Sequence, residues 1–188
     1  MRSPTIPPSI SFTMTMRLDY PNLVGSLRRI LAVISEQGGD VGTIEILNKD
    51  RKRIVREVSF AARDLEHANR IIQGVKGLPE MTIIEARDLA LQVHNGGKIT
   101  MSSKLPLATQ NDLSLAYTPA VGRVSQLIGS DPAAAWALTI KKNTVAVVSD
   151  GTAILVLGDL GPAAAMPVME GKALLFKHFA GVDAWPIC

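Results

Sequence analysis

The feature that most constrains the fold is the order of hydrophobic patterns along residues 9–88. An alternation of apolar and polar residues comes first, which is typical of a strand with one buried face. Its apolar members are Ile10, Phe12, Met14, Met16 and Leu18. A helical stripe, two strand patterns joined by a polar turn at 48–50, a second helical stripe and a last strand at 81–87 follow. The order predicts β-α-β-β-α-β, a ferredoxin-like arrangement with two helices on one face of a four-stranded sheet.

Both predicted helices of this half have start and stop signals. The first helix is predicted to start with Asp19 as its cap and Pro21 as a residue of its first turn. Its apolar stripe consists of Leu23, Val24, Leu27, Ile30, Leu31 and Ile34. Asp64 predicts the cap of the second helix, and Gly77-Leu78-Pro79 predicts its end.

The pattern changes after residues 89–98, which are predicted to be a linker because Asn95-Gly96-Gly97 favours a flexible turn. In residues 99–188, a loop at 113–120 is predicted to lead into a helix. Residues 144–149 and 153–157, joined by Asp150-Gly151, predict a β-hairpin. Pro162 predicts the start of a long helix. The chain therefore combines an α+β half with a second half of the α/β type.

The composition excludes several classes of function. The net charge is +3, aromatic residues make up 4%, and the basic residues are scattered, so a nucleic-acid-binding surface is not predicted. The apolar run at 144–157 is interrupted by polar residues and is shorter than the about 20 residues that a membrane helix needs. Cys188 is the only cysteine, which is consistent with a reducing compartment. We expect a cytoplasmic protein without a membrane segment.

Metal and dinucleotide sites are not predicted within this chain. His67, His94 and His178 are far apart and lack the paired spacing of metal ligands. The segment Gly158–Gly161 differs from the G-x-G-x-x-G fingerprint, and Leu160 would obstruct a close approach of phosphate to the backbone. Asp150 and Asp159 are interpreted as turn residues rather than ligands.

Two side chains could carry proton-transfer chemistry. Tyr117 precedes Thr118-Pro119, which constrains the loop that presents it, although a tyrosine is more often a packing residue. Lys172 falls about three turns into the predicted long helix, where it either faces a cleft or extends its ammonium into water. Lys177 is its competitor on another face of that helix. Taken alone, these residues leave both interpretations open.

The segment at residues 18–27, Leu-Asp-Tyr-Pro-Asn-Leu-Val-Gly-Ser-Leu, resembles the first turn of ACT domains. ACT domains are small regulatory modules that pair their sheets and often bind amino acids at the interface. The resemblance implies an ACT-like unit over residues 9–88 that binds an effector or mediates dimerisation. Its effector-binding residues would be Asp19, Asn22, Val24 and Gly25. Asn22 stands where these domains usually have glycine.

Two further segments resemble the N-terminal catalytic half of malic enzymes. They are Asp-Leu-Ser-Leu-Ala-Tyr-Thr-Pro-Ala-Val at 112–121 and Met-Glu-Gly-Lys-Ala-Leu-Leu-Phe-Lys at 169–177. The resemblance implies oxidative decarboxylation of malate to pyruvate, with NAD or NADP and with Mg²⁺ or Mn²⁺. It implies Tyr117 as the general acid, Lys172 as the general base, and a homodimer. Ala153 stands where the larger eukaryotic enzymes have an arginine, so the resemblance is to the bacterial type.

In this family the metal carboxylates and the Rossmann domain follow the segment at 181–186. The resemblance therefore implies that residues 99–188 are an incomplete malic enzyme N-terminal domain, and that this chain alone is inactive. The alternative is a protein without catalytic activity that senses an amino acid through residues 9–88, with the second half as a scaffold. The feature that favours this alternative is the turn at 19–26, whose backbone N–H groups are expected to hold a carboxylate at a helix start.

Overall fold

The computed structural model describes residues 7–188, which divide into two compact units with a boundary between Asn95 and Gly96. The first unit has the element order β-α-β-β-α-β that the hydrophobic patterns predict, followed by a short helix. Its elements are β1 (Ser9–Pro21), α1 (Ser26–Glu36), β2 (Asp40–Lys49), β3 (Arg53–Ala62), α2 (Leu65–Lys76), β4 (Thr82–Asp88) and α3 (Leu89–His94). The four strands form one sheet in the order β2-β3-β1-β4, and every neighbouring pair is antiparallel.

The core of the first unit lies between one face of this sheet and helices α1 and α2. The alternation in β1 buries Met16 and Leu18 completely, and Tyr20 continues the same series. The helices contribute apolar side chains at helical spacing, which is the reason that each forms an amphipathic element. These helix residues are Ile30, Ile34, Ala68, Ile71 and Val75.

The predicted start of α1 is wrong. β1 continues to Pro21, and the helix begins at Ser26 after Gly25, which has φ +87° in the left-handed region that favours glycine. Asn22 keeps the chain extended, because its N–H donates to the Lys52 carbonyl at 2.9 Å and its Nδ2 donates to the Asp50 carbonyl at 2.7 Å. Leu23 and Val24 therefore lie outside the helix and are exposed.

The predicted cap of α2 is confirmed. Asp64 has extended backbone dihedrals, and its Oδ1 accepts a hydrogen bond from the His67 N–H at 2.7 Å. The predicted linker at 89–98 begins with helix α3, which is capped by Asp88 through the N–H groups of Ala90 and Leu91.

The second unit contains four helices and two strands among its labelled elements. They are α4 (Gln110–Ala116), α5 (Val121–Ser130), α6 (Ala135–Leu138), β5 (Thr144–Val148), α7 (Pro162–Ala180) and β6 (Asp183–Ile187). One 3₁₀ turn, Pro132–Ala134, precedes α6, and another, Ile140–Asn143, precedes β5. Residues 110–116 form a helix where the sequence predicted a loop, whereas the long helix beginning at Pro162 is confirmed.

The predicted hairpin at 144–157 is wrong. β5 pairs in parallel with β6, with Thr144 opposite Asp183 and Val148 opposite Ile187. Residues 153–157 form turns instead of a returning strand. The Asp150-Gly151 turn is present, but its chain leads through a long loop into α7, which connects the two parallel strands. Within the described residues, no helix has the length and apolar character required to cross a membrane.

Candidate functional site

Tyr117 lies at the junction of α4 and α5. Its backbone N–H donates to the Leu113 carbonyl at 2.9 Å, and its carbonyl accepts from the Val121 N–H at 2.8 Å, so neighbours on both sides fix its backbone. The peptide bond between Thr118 and Pro119 is cis. The Tyr117 side chain is 67% exposed, which leaves its hydroxyl accessible from solvent.

The start of α4 is fixed by a reciprocal capping box. Thr109 Oγ1 accepts from the Asp112 N–H at 3.1 Å, and Asp112 Oδ2 accepts from the Thr109 N–H at 2.9 Å. Hydrogen bonds from the Thr109 side chain and backbone hold the pKa of Asp112 below its ordinary value. The T-x-x-D spacing at 109–112 is a variant of the capping-box signal, and it could have revealed α4 in the sequence.

Lys172 lies in the second half of α7 and is exposed. Another side of the helix packs against the rest of the second unit, and Ala165 and Ala173 are buried there. At its C-terminal end, the Gly181 N–H donates to the Lys177 carbonyl at 3.1 Å. The structure therefore presents the Lys172 ammonium to solvent from a helix whose position is set by small buried residues.

Lys177, the competitor for the role of base, is engaged elsewhere. Its Nζ forms an ion pair with Asp183 Oδ1 at 2.6 Å, across the turn between α7 and β6. This hydrogen bond holds the pKa of Asp183 below its ordinary value. The Nζ atom of Lys177 is thus held by Asp183 at the start of β6.

The loop from β5 to α7 is organised by its own turns. Asp150 Oδ1 accepts from the Thr152 N–H and hydroxyl at 3.1 and 2.8 Å, and the pKa of Asp150 is lowered by these bonds. Asp159 Oδ1 accepts from the Gly161 N–H at 3.1 Å. The carboxylates thus serve as turn residues, as their sequence context predicted.

A cavity of about 660 Å³ lies in the second unit, beside the side of α7 that carries Ala173, Leu174 and Lys177. Its other walls come from β6, from residues 98–102, and from Ile140 and Thr144. Tyr117 and Lys172 do not line it. This cavity could not be predicted from the sequence, because its walls come from segments that are far apart in the chain.

The four positions predicted to bind an effector lie in the first unit, around the end of β1. Asp19 forms an ion pair with Arg53 at 2.8 Å, and Asn22 is bonded to the β2–β3 turn. Val24 is fully exposed. Gly25 stands at the N-terminus of α1, which receives no hydrogen bond from a side-chain cap.

The histidines have structural surroundings. His67 is buried, with Nδ1 accepting from the Arg63 N–H at 3.1 Å and Nε2 contacting the Gln37 carbonyl oxygen at 2.8 Å. His94 Nδ1 lies 2.7 Å from the Ala90 carbonyl oxygen. In residues 7–188, three or more His, Cys, Asp or Glu side chains do not come together in a group that could hold a metal ion.

Comparison with known proteins shows which family and which relatives this chain resembles in sequence. Residues 96–188 match the family described as malic enzyme, N-terminal domain. The NAD-dependent malic enzyme of Geobacillus stearothermophilus is 47% identical over 183 residues, which are 97% of this chain and 38% of that protein. NAD-dependent malic enzyme 1 of Bacillus subtilis is 38% identical over 174 residues, covering 92% of this chain and 40% of that protein.

The crystal structure of the NAD-dependent malic enzyme from Thermotoga maritima superimposes with a TM-score of 0.51 at 49% identity. The superposition covers 54% of this chain and 29% of that chain. This chain spans about two fifths of the length of the two curated relatives. The two relatives are malic enzymes, and residues 96–188 are similar to the N-terminal domain of that family.

Proposed function

We propose that this chain is the N-terminal part of a malic enzyme that converts malate to pyruvate and CO₂ with NAD or NADP in the cytoplasm. The observation that carries the proposal is the 47% identity to an NAD-dependent malic enzyme over 97% of the chain. The similarity therefore extends through both units rather than the second alone. The motifs around Tyr117 and Lys172 lie in the segment that matches the family domain.

In this proposal Lys172 is the general base and Tyr117 the general acid. Neutral Lys172 takes the proton from the C2 hydroxyl of malate, and Tyr117 returns a proton to C3 after CO₂ has left. Both side chains are exposed and accessible to a small substrate. Lys177 is disfavoured as the base because Asp183 holds its ammonium.

In this proposal, the cofactor and metal sites of the enzyme lie outside this chain. The described residues provide no cluster of metal-ligating side chains, and Gly158–Gly161 is not a dinucleotide fingerprint. In the full-length enzyme NAD or NADP would accept the hydride, and Mg²⁺ or Mn²⁺ would polarise the C2 oxygen. We expect residues 1–188 alone to be inactive, because the proposal places the binding site of the hydride acceptor outside them.

Site-directed variants of the full-length enzyme test these roles. We expect Lys172→Ala and Tyr117→Phe each to lower kcat for malate-dependent NAD(P)H formation by at least about 100-fold, which is the usual contribution of a general acid or base. Lys177→Ala is the matched control and should retain kcat within a few-fold. If Lys172→Ala keeps the wild-type turnover, Lys172 is not the general base. If only Lys177→Ala loses activity, Lys177 is the base instead.

The first unit is proposed as an ACT-like regulatory domain over residues 9–88, joined by a linker at 89–98 to the malic enzyme segment at 99–188. Support comes from its element order and strand order, and from the α1 N-terminus, which has no side-chain cap or acidic residue in its first turn. Such a terminus favours a carboxylate. Its effector-binding residues would be Asp19, Asn22, Val24 and Gly25, and homodimerisation is a second proposed role.

Calorimetry tests the regulatory proposal. The full-length enzyme is titrated with single amino acids, and a binding amino acid should lose its heat signal in Asn22→Ala, which removes the side-chain hydrogen bond to the Asp50 carbonyl. Absence of heat with every amino acid would count against an amino-acid effector. The alternative function, an amino-acid sensor without catalysis, predicts binding together with an absence of malate turnover in the full-length protein.

A further inference from the structure

The carboxylate of Glu170 is directed at the first residues of the second unit. Glu170 Oε2 accepts a hydrogen bond from the Lys98 backbone N–H at 3.3 Å, across a separation of 72 residues. Glu170 Oε1 lies against Gly97, where a Cβ atom would stand only 2.9 Å from it. One carboxylate thus contacts two consecutive residues of a distant segment.

Lys98 contacts the same helix a second time. Its Nζ donates to the Pro167 carbonyl oxygen at 2.7 Å. Pro167 lies inside α7 and has no backbone N–H, so the Ala163 carbonyl loses its usual helical partner and the helix is weakened at this turn. The Lys98 ammonium therefore binds Pro167, and the Lys98 N–H binds Glu170. These two positions are three residues apart, about one helical turn, in the weakened part of α7. We name these contacts the Lys98–Glu170 clamp.

The clamp lies just before Lys172 in the sequence. Two residues along an α-helix correspond to a rotation of about 200°, so Glu170 and Lys172 lie on nearly opposite sides of α7. The clamp can set the rotation of the helix about its axis while leaving the side of Lys172 open. A side-chain tip about 6 Å from the axis moves about 1 Å when the helix rotates by about 10°. A misplacement of about 1 Å can lower a catalytic rate about 100-fold.

We propose that Glu170 is a positioning residue for the decarboxylation reaction. Its carboxylate, through Lys98, fixes the orientation of α7 and thereby the position of the Lys172 ammonium. The inference rests on the proposed role of Lys172 as the general base. Glu170 transfers no proton and does not contact the substrate in this proposal.

The test compares Glu170→Ala, which removes the acceptor, with Glu170→Gln, whose amide oxygen can still accept from the Lys98 N–H. In the full-length enzyme we expect Glu170→Ala to lower kcat at least about 10-fold while KM for malate changes less than about threefold. Glu170→Gln should restore kcat to within about threefold of the wild type. Glu66→Ala, on an exposed helix face of the first unit, is the matched control for loss of a glutamate and should leave kcat unchanged.

The rate per folded molecule separates positioning from simple stabilisation. A displaced base slows the chemical step in every folded molecule, so kcat per folded enzyme, with folding measured by circular dichroism, should fall in Glu170→Ala and recover in Glu170→Gln. A purely structural role would lower the amount of folded enzyme without changing kcat per folded molecule.

Three results would overturn the inference. They are wild-type kcat per folded molecule in Glu170→Ala, a KM for malate that rises as much as kcat falls, and a Glu170→Gln variant as impaired as Glu170→Ala. If Glu170→Ala does not fold, Lys98→Met provides the second variant, because it removes the bond to Pro167 and should also lower kcat per folded molecule. Failure of the proposed function has a different signature, since the wild type would then show no malate-dependent turnover or Lys172→Ala would retain it.

Discussion

Gly151 and Gly161 approach each other so closely that a Cβ atom on Gly151 would stand 2.1 Å from the Gly161 carbonyl carbon. The Gly151 carbonyl accepts hydrogen bonds from the N–H groups of Leu160 and Gly161, each at 3.3 Å. This contact closes the loop between β5 and α7 at its two ends. The position of the α7 N-terminus therefore depends on a residue that directly follows β5 and its turn.

Replacement of Gly151 should be far more damaging than replacement of Gly158, although both have φ near +80°. Gly158→Ala has open space around its Cβ and should cost only the left-handed strain of about 1–2 kcal/mol. Gly151→Ala adds a backbone clash and should exceed about 3 kcal/mol. Urea unfolding followed by tryptophan fluorescence tests this, because Trp136 and Trp185 both lie in the second unit. Equal destabilisation of the two variants would contradict the close contact.

His67→Phe should destabilise the first unit by about 2–4 kcal/mol. The imidazole is buried and satisfies the Gln37 carbonyl and the Arg63 N–H, which would both lose a partner in the variant. Hydrogen exchange measured by mass spectrometry should show faster exchange across α2 in the variant. Glu66→Gln, at the neighbouring exposed position, is the control, and exchange rates equal to the wild type in His67→Phe would contradict the prediction.

Asp50 should make the β2–β3 turn sensitive to acid. Its Oδ1 accepts from the N–H groups of Arg53 at 2.6 Å and Lys52 at 2.7 Å, and these bonds hold its pKa below the ordinary value. A group whose pKa is lowered on folding stabilises the fold above its ordinary pKa of about 3.9, and this contribution is lost as pH falls through the lowered value. Protonation therefore loosens the turn below about pH 4.

Thermal unfolding of the wild type and of Asp50→Asn between pH 7 and pH 3 checks this sign. The melting temperature of Asp50→Asn should be lower than that of the wild type at pH 7, and the difference should shrink toward pH 3. A difference that stays constant over this range would show that the Asp50 charge does not contribute.

Thr109→Ala should loosen the helix that leads to Tyr117. The variant removes one half of the capping box with Asp112 and should cost about 1 kcal/mol, which corresponds to about fivefold faster hydrogen exchange in residues 110–116. Gln110→Ala at the next position, with an exposed side chain, serves as the control. In the full-length enzyme we expect a parallel fall in kcat, because Tyr117 ends the helix that the cap stabilises.

Local signals predicted the elements whose partners are close in sequence. The alternation through Met16 and Leu18 predicted the buried face of β1, and Asp64 predicted the start of α2 through a bond to a residue three positions away. Both depend on side chains within the same element or the next turn. The hydrophobic patterns also predicted the order of elements in the first unit.

Long-range hydrogen bonds explain the predictions that were wrong. Helix α1 begins at Ser26, later than predicted, because the Asn22 side chain bonds to a turn 28 residues away. The strand at 144–148 has its partner near the end of the chain instead of beyond the Asp150-Gly151 turn. Tyr117 and Lys172 came from motifs, and their catalytic roles stay predictions. Glu170 could not be selected from sequence, because its significance depends on Lys98, 72 residues earlier.

The parallel pairing of β5 with β6 also determines when the second unit can form during synthesis. β5 leaves the ribosome without its partner, because β6 is made only after the loop and all of α7. At about 5–20 residues per second, the partner strand follows about 40 residues later, a delay of about 2–8 seconds. During that interval the apolar side chains of β5 do not yet have their partner strand, β6, beside them. The strands of the first unit have all been made by then, so its sheet can form before that of the second unit.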